Sequence, residues 1–181
     1  TQQIEPEIHA SAALFSVNTG IIDIAEYAQA IAADITSADG DIVTHCEVNR
    51  ITSTGDSFDV QTHSGTQQHT LRVKFVINAA GLHAQSVAAN IDSLRPQYIP
   101  PLHLCKGDYF RYNRRNPFSH LVYPVAGKNA AGLGIHATHA LDGTLRFGPD
   151  IQYVDEADYN VEEQKRAQFC AAIARYFPAI A

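Results

Sequence analysis

Hydrophobic period changes between residues 41 and 81, and that change restricts the fold more than any other feature of the chain. Ile42-Val43-Thr44 leads through Val48 and Ile51, and Phe58-Asp59-Val60-Gln61-Thr62 and Leu71-Arg72-Val73 then alternate apolar with polar residues, as half-buried strands do. Thr54-Gly55-Asp56-Ser57 and His63-Ser64-Gly65-Thr66 separate these stretches as turns, which predicts a meander of short antiparallel strands. The meander runs into Phe75-Val76-Ile77-Asn78-Ala79-Ala80-Gly81. A continuous apolar run fits a strand covered on both faces, as in a parallel sheet.

Helices are few. Residues 1–22 read as an irregular lead-in ending in Ser16-Val17-Asn18-Thr19-Gly20. Asp23 stands three residues before Glu26, in the manner of a capping box. Ile24, Tyr27, Ala28, Ile31 and Ile35 keep helical spacing, and Gly40 follows as a stop. A second helix is expected from Leu82 to about Ile91, after which Pro96, Pro100 and Pro101 mark the crossover into a second region. There, residues 102–112, 120–125, 132–138 and 144–147 read as strands, and 113–117, 126–130 and Asp142-Gly143 as turns. A last helix starts near Asn160 with Phe169, Ile173, Tyr176 and Phe177 on one stripe. The expected class is α+β, a mixed and largely antiparallel sheet with helices, dividing into residues 1–95 and 96–181.

A chain of 181 residues suits one domain, or one domain with a piece of another. Compact folding would leave about 8,600 Å² accessible and bury about 70% of the extended chain's surface. With 45% apolar and 18% charged residues, a disordered tail and a fibre are excluded. No apolar run approaches the roughly 20 residues of a membrane span. A net charge of −6 argues against non-specific nucleic-acid binding, although a local cluster can still be basic and take acidic substrates. Cys46, Cys105 and Cys170 are odd in number and form no C-x-x-C pair, which disfavours a disulfide scaffold and fits a reducing cytoplasm. Methionine is absent and the chain opens on Thr1, as in a piece of a longer protein or after a processed start.

Several motifs carry chemistry. Gly132-Leu133-Gly134-Ile135-His136-Ala137 matches the dinucleotide fingerprint by letters. The mechanism needs a helix immediately afterwards, and Thr138-His139-Ala140-Leu141-Asp142-Gly143 is too short to supply one. A strand whose small residues admit another backbone or a flat ligand is the better reading. His136, His139 and Asp142, spaced i, i+3, i+6, would form a metal face on a helix, but strand and turn would not make them converge. A metal-dependent hydrolase built on these three stands as the alternative from another class. His136 alone could act as a general base or be a structural histidine. Lys106, Tyr109, Arg111, Arg114, Arg115 and Arg146 gather in the second region. Strand alternation puts Lys106, Asp108 and Phe110 on one face, and Cys105, Gly107, Tyr109 and Arg111 on the other. A cation facing a cleft could clamp a carboxylate, whereas Arg114 and Arg115 suit a solvated turn. Ala79-Ala80-Gly81 closes a strand before a helix, where a doubly wound sheet meets its ligand.

In order and wording several segments resemble FAD-dependent oxidoreductases of the D-amino-acid-oxidase (glycine-oxidase-like) superfamily, and within it the L-2-hydroxyglutarate dehydrogenase/oxidase group. They are Thr19-Gly20-Ile21-Ile22-Asp23, Val76-Ile77-Asn78-Ala79-Ala80-Gly81-Leu82-His83-Ala84, Ile99-Pro100-Pro101, Cys105-Lys106-Gly107-Asp108-Tyr109-Phe110, Leu121-Val122-Tyr123-Pro124-Val125, Gly132-Leu133-Gly134-Ile135-His136 and Arg146-Phe147-Gly148-Pro149-Asp150. The resemblance implies a substrate domain joined to part of a Rossmann-like FAD-binding domain. The N-terminal G-x-G-x-x-G unit and the C-terminal flavin segment of such enzymes are not among these residues. The chain alone is therefore expected not to hold FAD tightly. By the same resemblance, Val48 lies on the strand whose backbone meets the adenine, and Ala79, Ala80 and Gly81 form the turn over the cofactor. Tyr109, Tyr123 and His136 lie on the sheet roofing flavin and substrate. The implied reaction passes hydride from a small 2-hydroxy acid to FAD. His136 and Tyr123 are then the catalytic candidates, and Lys106, Tyr109 and Arg146 the substrate contacts, with a base from the C-terminal part as the other option. An amino-acid or amine substrate on the same fold and a non-catalytic binding module are the rival readings. The implied setting is cytoplasmic, and a quinone acceptor would add peripheral contact with the inner membrane.

Overall fold

The computed structural model describes residues 3–125 and 134–180. Two compact units are formed, Ala30–Leu102 and Thr1–Gln29 together with His103–Ala181.

The first unit is built on the meander. Strands β1 (Glu47–Ser53), β2 (Phe58–Ser64) and β3 (Gln67–Val73) lie antiparallel in that order, with Ile51 opposite Val60 and Val60 opposite Leu71. Gly65 takes the first position of the two-residue β2–β3 loop with φ +59, a conformation glycine adopts without strain. An irregularity between Val48 and Arg50 shifts the β1–β2 register. Ile51 is bonded on its other side as well: its N–H donates to Asn90 O at 2.9 Å, and Asp92 N–H donates to Ile51 O at 3.0 Å. Ile51 and Val60 are the buried apolar side chains of the unit.

Two expectations fail here. Ile42-Val43-Thr44 is not a strand, and neither is Phe75-Val76-Ile77-Asn78-Ala79-Ala80-Gly81, where Phe75 is 84% and Ile77 90% exposed. A strand covered on both faces needs neighbours to hydrogen-bond its backbone, and no described residue pairs with this run. Every named sheet among the described residues is antiparallel. The α+β class therefore stands at the level of helices and antiparallel sheets. Gly81–His83 forms a 3-10 turn leading into α2 (Ala84–Ala89), close to the expected helix.

Helix α1 (Ile24–Ser37) forms as its spacing predicts. Asp23 Oδ1 accepts from Ala25 N–H at 2.9 Å and Glu26 N–H at 3.1 Å, satisfying two donors of the first turn. At the other end Gly40 N–H donates to Ile35 O at 2.9 Å and Asp39 N–H to Thr36 O at 3.2 Å, a Schellman pattern. The left-handed residue is Asp39, with φ +58, rather than Gly40. Gly40 is required sterically, since a Cβ there would lie 2.8 Å from Ile35 Cγ2.

The second unit holds β4 (Leu104–Lys106) paired with β8 (Gln152–Val154), and a three-stranded sheet in the order β5 (Phe110–Arg111), β7 (Leu145–Gly148), β6 (His136–His139). The single strand expected over 102–112 is broken in two. At the break Gly107 lies against Pro149, where a Cβ would come within 2.7 Å of the ring, and Asp108 N–H donates to Asp150 Oδ1 at 2.7 Å. The chain thus leaves one sheet for the other while keeping the expected alternation: Lys106, Asp108 and Phe110 turn inward and Cys105, Tyr109 and Arg111 outward. The strand expected over 120–125 reduces to one bridge between Val122 and Ala137. Gly132 and Leu133 of the fingerprint lie outside the described residues. Gly134, with φ +81, leads toward β6 and not into a helix. The last helix begins later than expected, as a 3-10 turn Glu163–Lys165 followed by α3 (Arg166–Ala174). Its stripe is buried as predicted: Phe169, Ile173, Tyr176 and Phe177 join Ile8, Phe118, Ala137, Leu145 and Phe147 in one core.

The accessible surface is 13,882 Å², well above the about 8,600 Å² of a compact chain this size. The expected degree of burial is not reached, because no residue of α1 is buried and the Phe75–Ile77 run stays exposed.

Candidate active site

Alternation gives the β5–β7–β6 sheet two distinct faces. Phe110, Leu145, Phe147 and Ala137 point into the core. On the open face the register sets Arg111 opposite Arg146 and Arg146 opposite Thr138, with His136 opposite Gly148 in the next row. Tyr109 lies over Gly148: a Cβ there would fall 2.8 Å from the Tyr109 ring and 2.6 Å from Asp108 O. Tyr123 packs on His136 with ring centroids 4.6 Å apart. Four residues singled out from the sequence, Tyr109, Tyr123, His136 and Arg146, thus share one face, although 37 positions separate the first from the last.

His136 Nε2 is buried without a hydrogen-bond partner among the described residues. Burial disfavours the charged ring and holds its pKa below the ordinary imidazole value, so the ring is neutral near pH 7. An unpaired, neutral imidazole nitrogen can accept a proton. A cleft of about 670 Å³ is lined by Tyr123, Thr138, His139, Asp142 and Arg146 together with residues 20–25; His136 is not among its lining residues. Arg146 is exposed and has no carboxylate within ion-pair distance among the described residues. The face therefore offers an exposed guanidinium with no carboxylate at ion-pair distance among the described residues, a proton acceptor and two phenols.

Lys106 is placed elsewhere, on β4. Its side chain is only 6% exposed, and Nζ donates to Asp158 Oδ2 at 2.7 Å and to Asn160 O. Its ammonium is engaged inside the protein, next to a second ion-pair group in which Lys165 Nζ meets Asp108 Oδ2 at 2.6 Å and Asp150 Oδ2 at 2.9 Å. His136, His139 and Asp142 do not assemble a ligand set: no group of three His, Cys, Asp or Glu side chains able to hold a metal occurs among the described residues.

Comparison with known proteins gives the face its context. The family model described as "FAD dependent oxidoreductase" (DAO) matches residues 1–181. The chain belongs to this family. It is 34% identical over 115 residues to an L-2-hydroxyglutarate dehydrogenase of Arabidopsis thaliana, covering 57% of the chain and 23% of the relative. It is 32% identical over 163 residues to the Nematostella vectensis enzyme of that name, covering 82% and 35%. Against the human one it is 26% identical over 156 residues, covering 81% and 33%. The chain thus spans about a third or less of the length of these curated relatives.

For a DAO-family chain, the described residues fit only part of a FAD site. No strand among them runs through a glycine-rich turn into a helix, so the pyrophosphate cradle is not built from them. The turn Ala79-Ala80-Gly81 does offer open backbone: Gly81 has φ +57, a Cβ there would meet nothing within 4 Å, and Asn78 braces it by donating to Ala84 O at 2.7 Å. Val48 is half-buried on β1 of the same unit. Arg111 is the residue that sequence reasoning left unassigned. The signal was present, since alternation already set it on the face of Tyr109. No described helix is long and apolar enough to cross a membrane.

Proposed function

We propose that this chain supplies the substrate-facing sheet of a flavin-dependent dehydrogenase that oxidises a small 2-hydroxy acid of the L-2-hydroxyglutarate class. The observation that carries the reading is the open face of β5–β7–β6, where the neutral His136, its Nε2 unpaired among the described residues, shares one sheet surface with the exposed Arg146.

Oxidising a 2-hydroxy acid to a 2-oxo acid removes the hydroxyl proton and a hydride from the same carbon. Arg146 binds the carboxylate as a planar fork and fixes the orientation of that carbon. His136 Nε2 accepts the hydroxyl proton, and Tyr123, packed on the ring, holds the imidazole in place. Tyr109 adds a phenol donor to the same face. FAD, when bound, supplies the acceptor for the two electrons that leave with the hydride. Val48 and the Ala79-Ala80-Gly81 turn would contribute backbone contacts to it. The names of the relatives support the substrate class. Reoxidation by a quinone would bring the protein to the surface of a membrane.

The test is an anaerobic visible spectrum of the intact protein before and after addition of L-2-hydroxyglutarate. The expected result is a flavin band that bleaches. A band that bleaches only with amino acids or amines would move the substrate to that class, and a folded protein with no flavin band would overturn the reading.

A further inference from the structure

A second cleft of about 670 Å³ lies beyond Asp142, lined by Arg111, Arg114, Arg115, Asn113 and Asn116 and by the turn that follows Asp142. Its positive charges outnumber its one carboxylate. Arg50, Arg72 and Arg166 each meet a carboxylate, at 2.9, 2.7 and 3.6 Å. None of Arg111, Arg114 and Arg115 does so among the described residues. The ladder sharpens the imbalance, because Arg111 stands directly opposite Arg146 and like charges so placed repel. Asp142 is the one carboxylate lining the cleft; its Oδ1 accepts from Thr144 N–H at 2.8 Å and its charge attracts Arg111 and Arg146, one carboxylate against several guanidinium groups. On a chain of net charge −6, three guanidinium groups that meet no carboxylate at ion-pair distance among the described residues, set against the single carboxylate of Asp142, make this cleft locally basic.

We infer that the Arg111–Arg114–Arg115 cleft binds a small multivalent oxyanion, a phosphate or a polycarboxylate, in a cleft that adjoins the His136–Arg146 face, with Arg111 and Asp142 at the border. Guanidinium forks match both anions in bidentate fashion, and the amides of Asn113 and Asn116 supply further donors at the rim. An anion there would also relieve the cross-strand repulsion between Arg111 and Arg146. The inference does not depend on the proposed reaction, and its readout is binding, not activity.

The experiment is calorimetric titration of the protein with citrate and, separately, with inorganic phosphate, ionic strength being held constant with sodium chloride. Saturable one-to-one binding of at least one anion is expected. Arg114→Gln/Arg115→Gln should weaken it about tenfold or more, as loss of charge-assisted hydrogen bonds implies. Arg111→Gln, at the strand end, should do the same and serves if the double variant fails to fold. Arg166→Gln, on the surface of α3, should bind as the parent does. Tighter phosphate points to a phosphate ester as the natural ligand, and tighter citrate to a polycarboxylate. No saturable binding of either anion, or equal binding by the parent and the cleft variants, would overturn the inference.

Discussion

At the scale of single residues, one side chain's neighbours decide its chemistry more than its type does. Lys106 and Arg146 both suggest carboxylate binding on paper. Asp158 and the Asn160 carbonyl, more than fifty positions along the chain, already occupy the Lys106 ammonium, and no strand pattern could announce that partnership. Arg146 meets no carboxylate at ion-pair distance among the described residues, and its neighbours across the ladder are Arg111 and Thr138. Gly148 shows the same dependence in backbone form. Its φ is +143, and a Cβ would stand 2.6 Å from Asp108 O, so Gly148→Ala must move backbone as well as adopt a strained conformation. We expect it to cost about 2 kcal/mol or more, measured by denaturant unfolding, and to displace Tyr109 from the site face.

At the scale of elements, local signals were legible wherever local interactions decide the outcome. The Asp23 cap, the helical spacing of α1, the Gly65 hairpin and the buried stripe of α3 all follow from residues within a few positions of one another. Elements that depend on distant partners are not legible in the local pattern. The Phe75–Ile77 run has the composition of a central strand but lacks hydrogen-bonding neighbours among the described residues. The stretch 102–112 splits where Pro149 and Asp150 press on Gly107 and Asp108. Strand β8 spans only three residues, too few to display a period. The caps of α1 yield two predictions. Asp23→Ala should cost about 1 kcal/mol in unfolding experiments, by losing the acceptor for two first-turn amides. Asp39→Gly should stabilise by up to about 1 kcal/mol, since it relieves a left-handed aspartate while leaving the Gly40–Ile35 hydrogen bond in place.

At the scale of the whole molecule, acid sensitivity should trace to the ion pairs around β4 and α3. Hydrogen bonds from Lys106 and from the Asn160 backbone hold the Asp158 carboxyl at about 2, below its ordinary value of 3.8. A carboxyl depressed by folding adds stability above its unfolded pKa and loses it as pH falls through the folded one. Thermal stability should therefore decline between about pH 4 and pH 2, and Asp158→Asn should flatten that part of the curve while lowering stability at neutral pH. Lys165 is raised above the usual lysine value: burial opposes its charge, but Asp108 and Asp150 together outweigh that cost. It stays charged throughout this range, so the decline predicted here belongs to the Asp158 carboxyl.

The sheet face, assembled from residues far apart in sequence, is where the functional account can fail most clearly. The most direct measurement is the anaerobic rate of flavin reduction by L-2-hydroxyglutarate in the intact protein, compared between the parent and His136→Asn across pH. Loss of a general base predicts a drop of about 10²-fold or more. The parent's acid limb, with an apparent pKa below the ordinary imidazole value, should disappear in the variant. A variant that reduces its flavin at the parental rate, with the same pH profile, would contradict the assignment of His136 as the base and of this face as the substrate side.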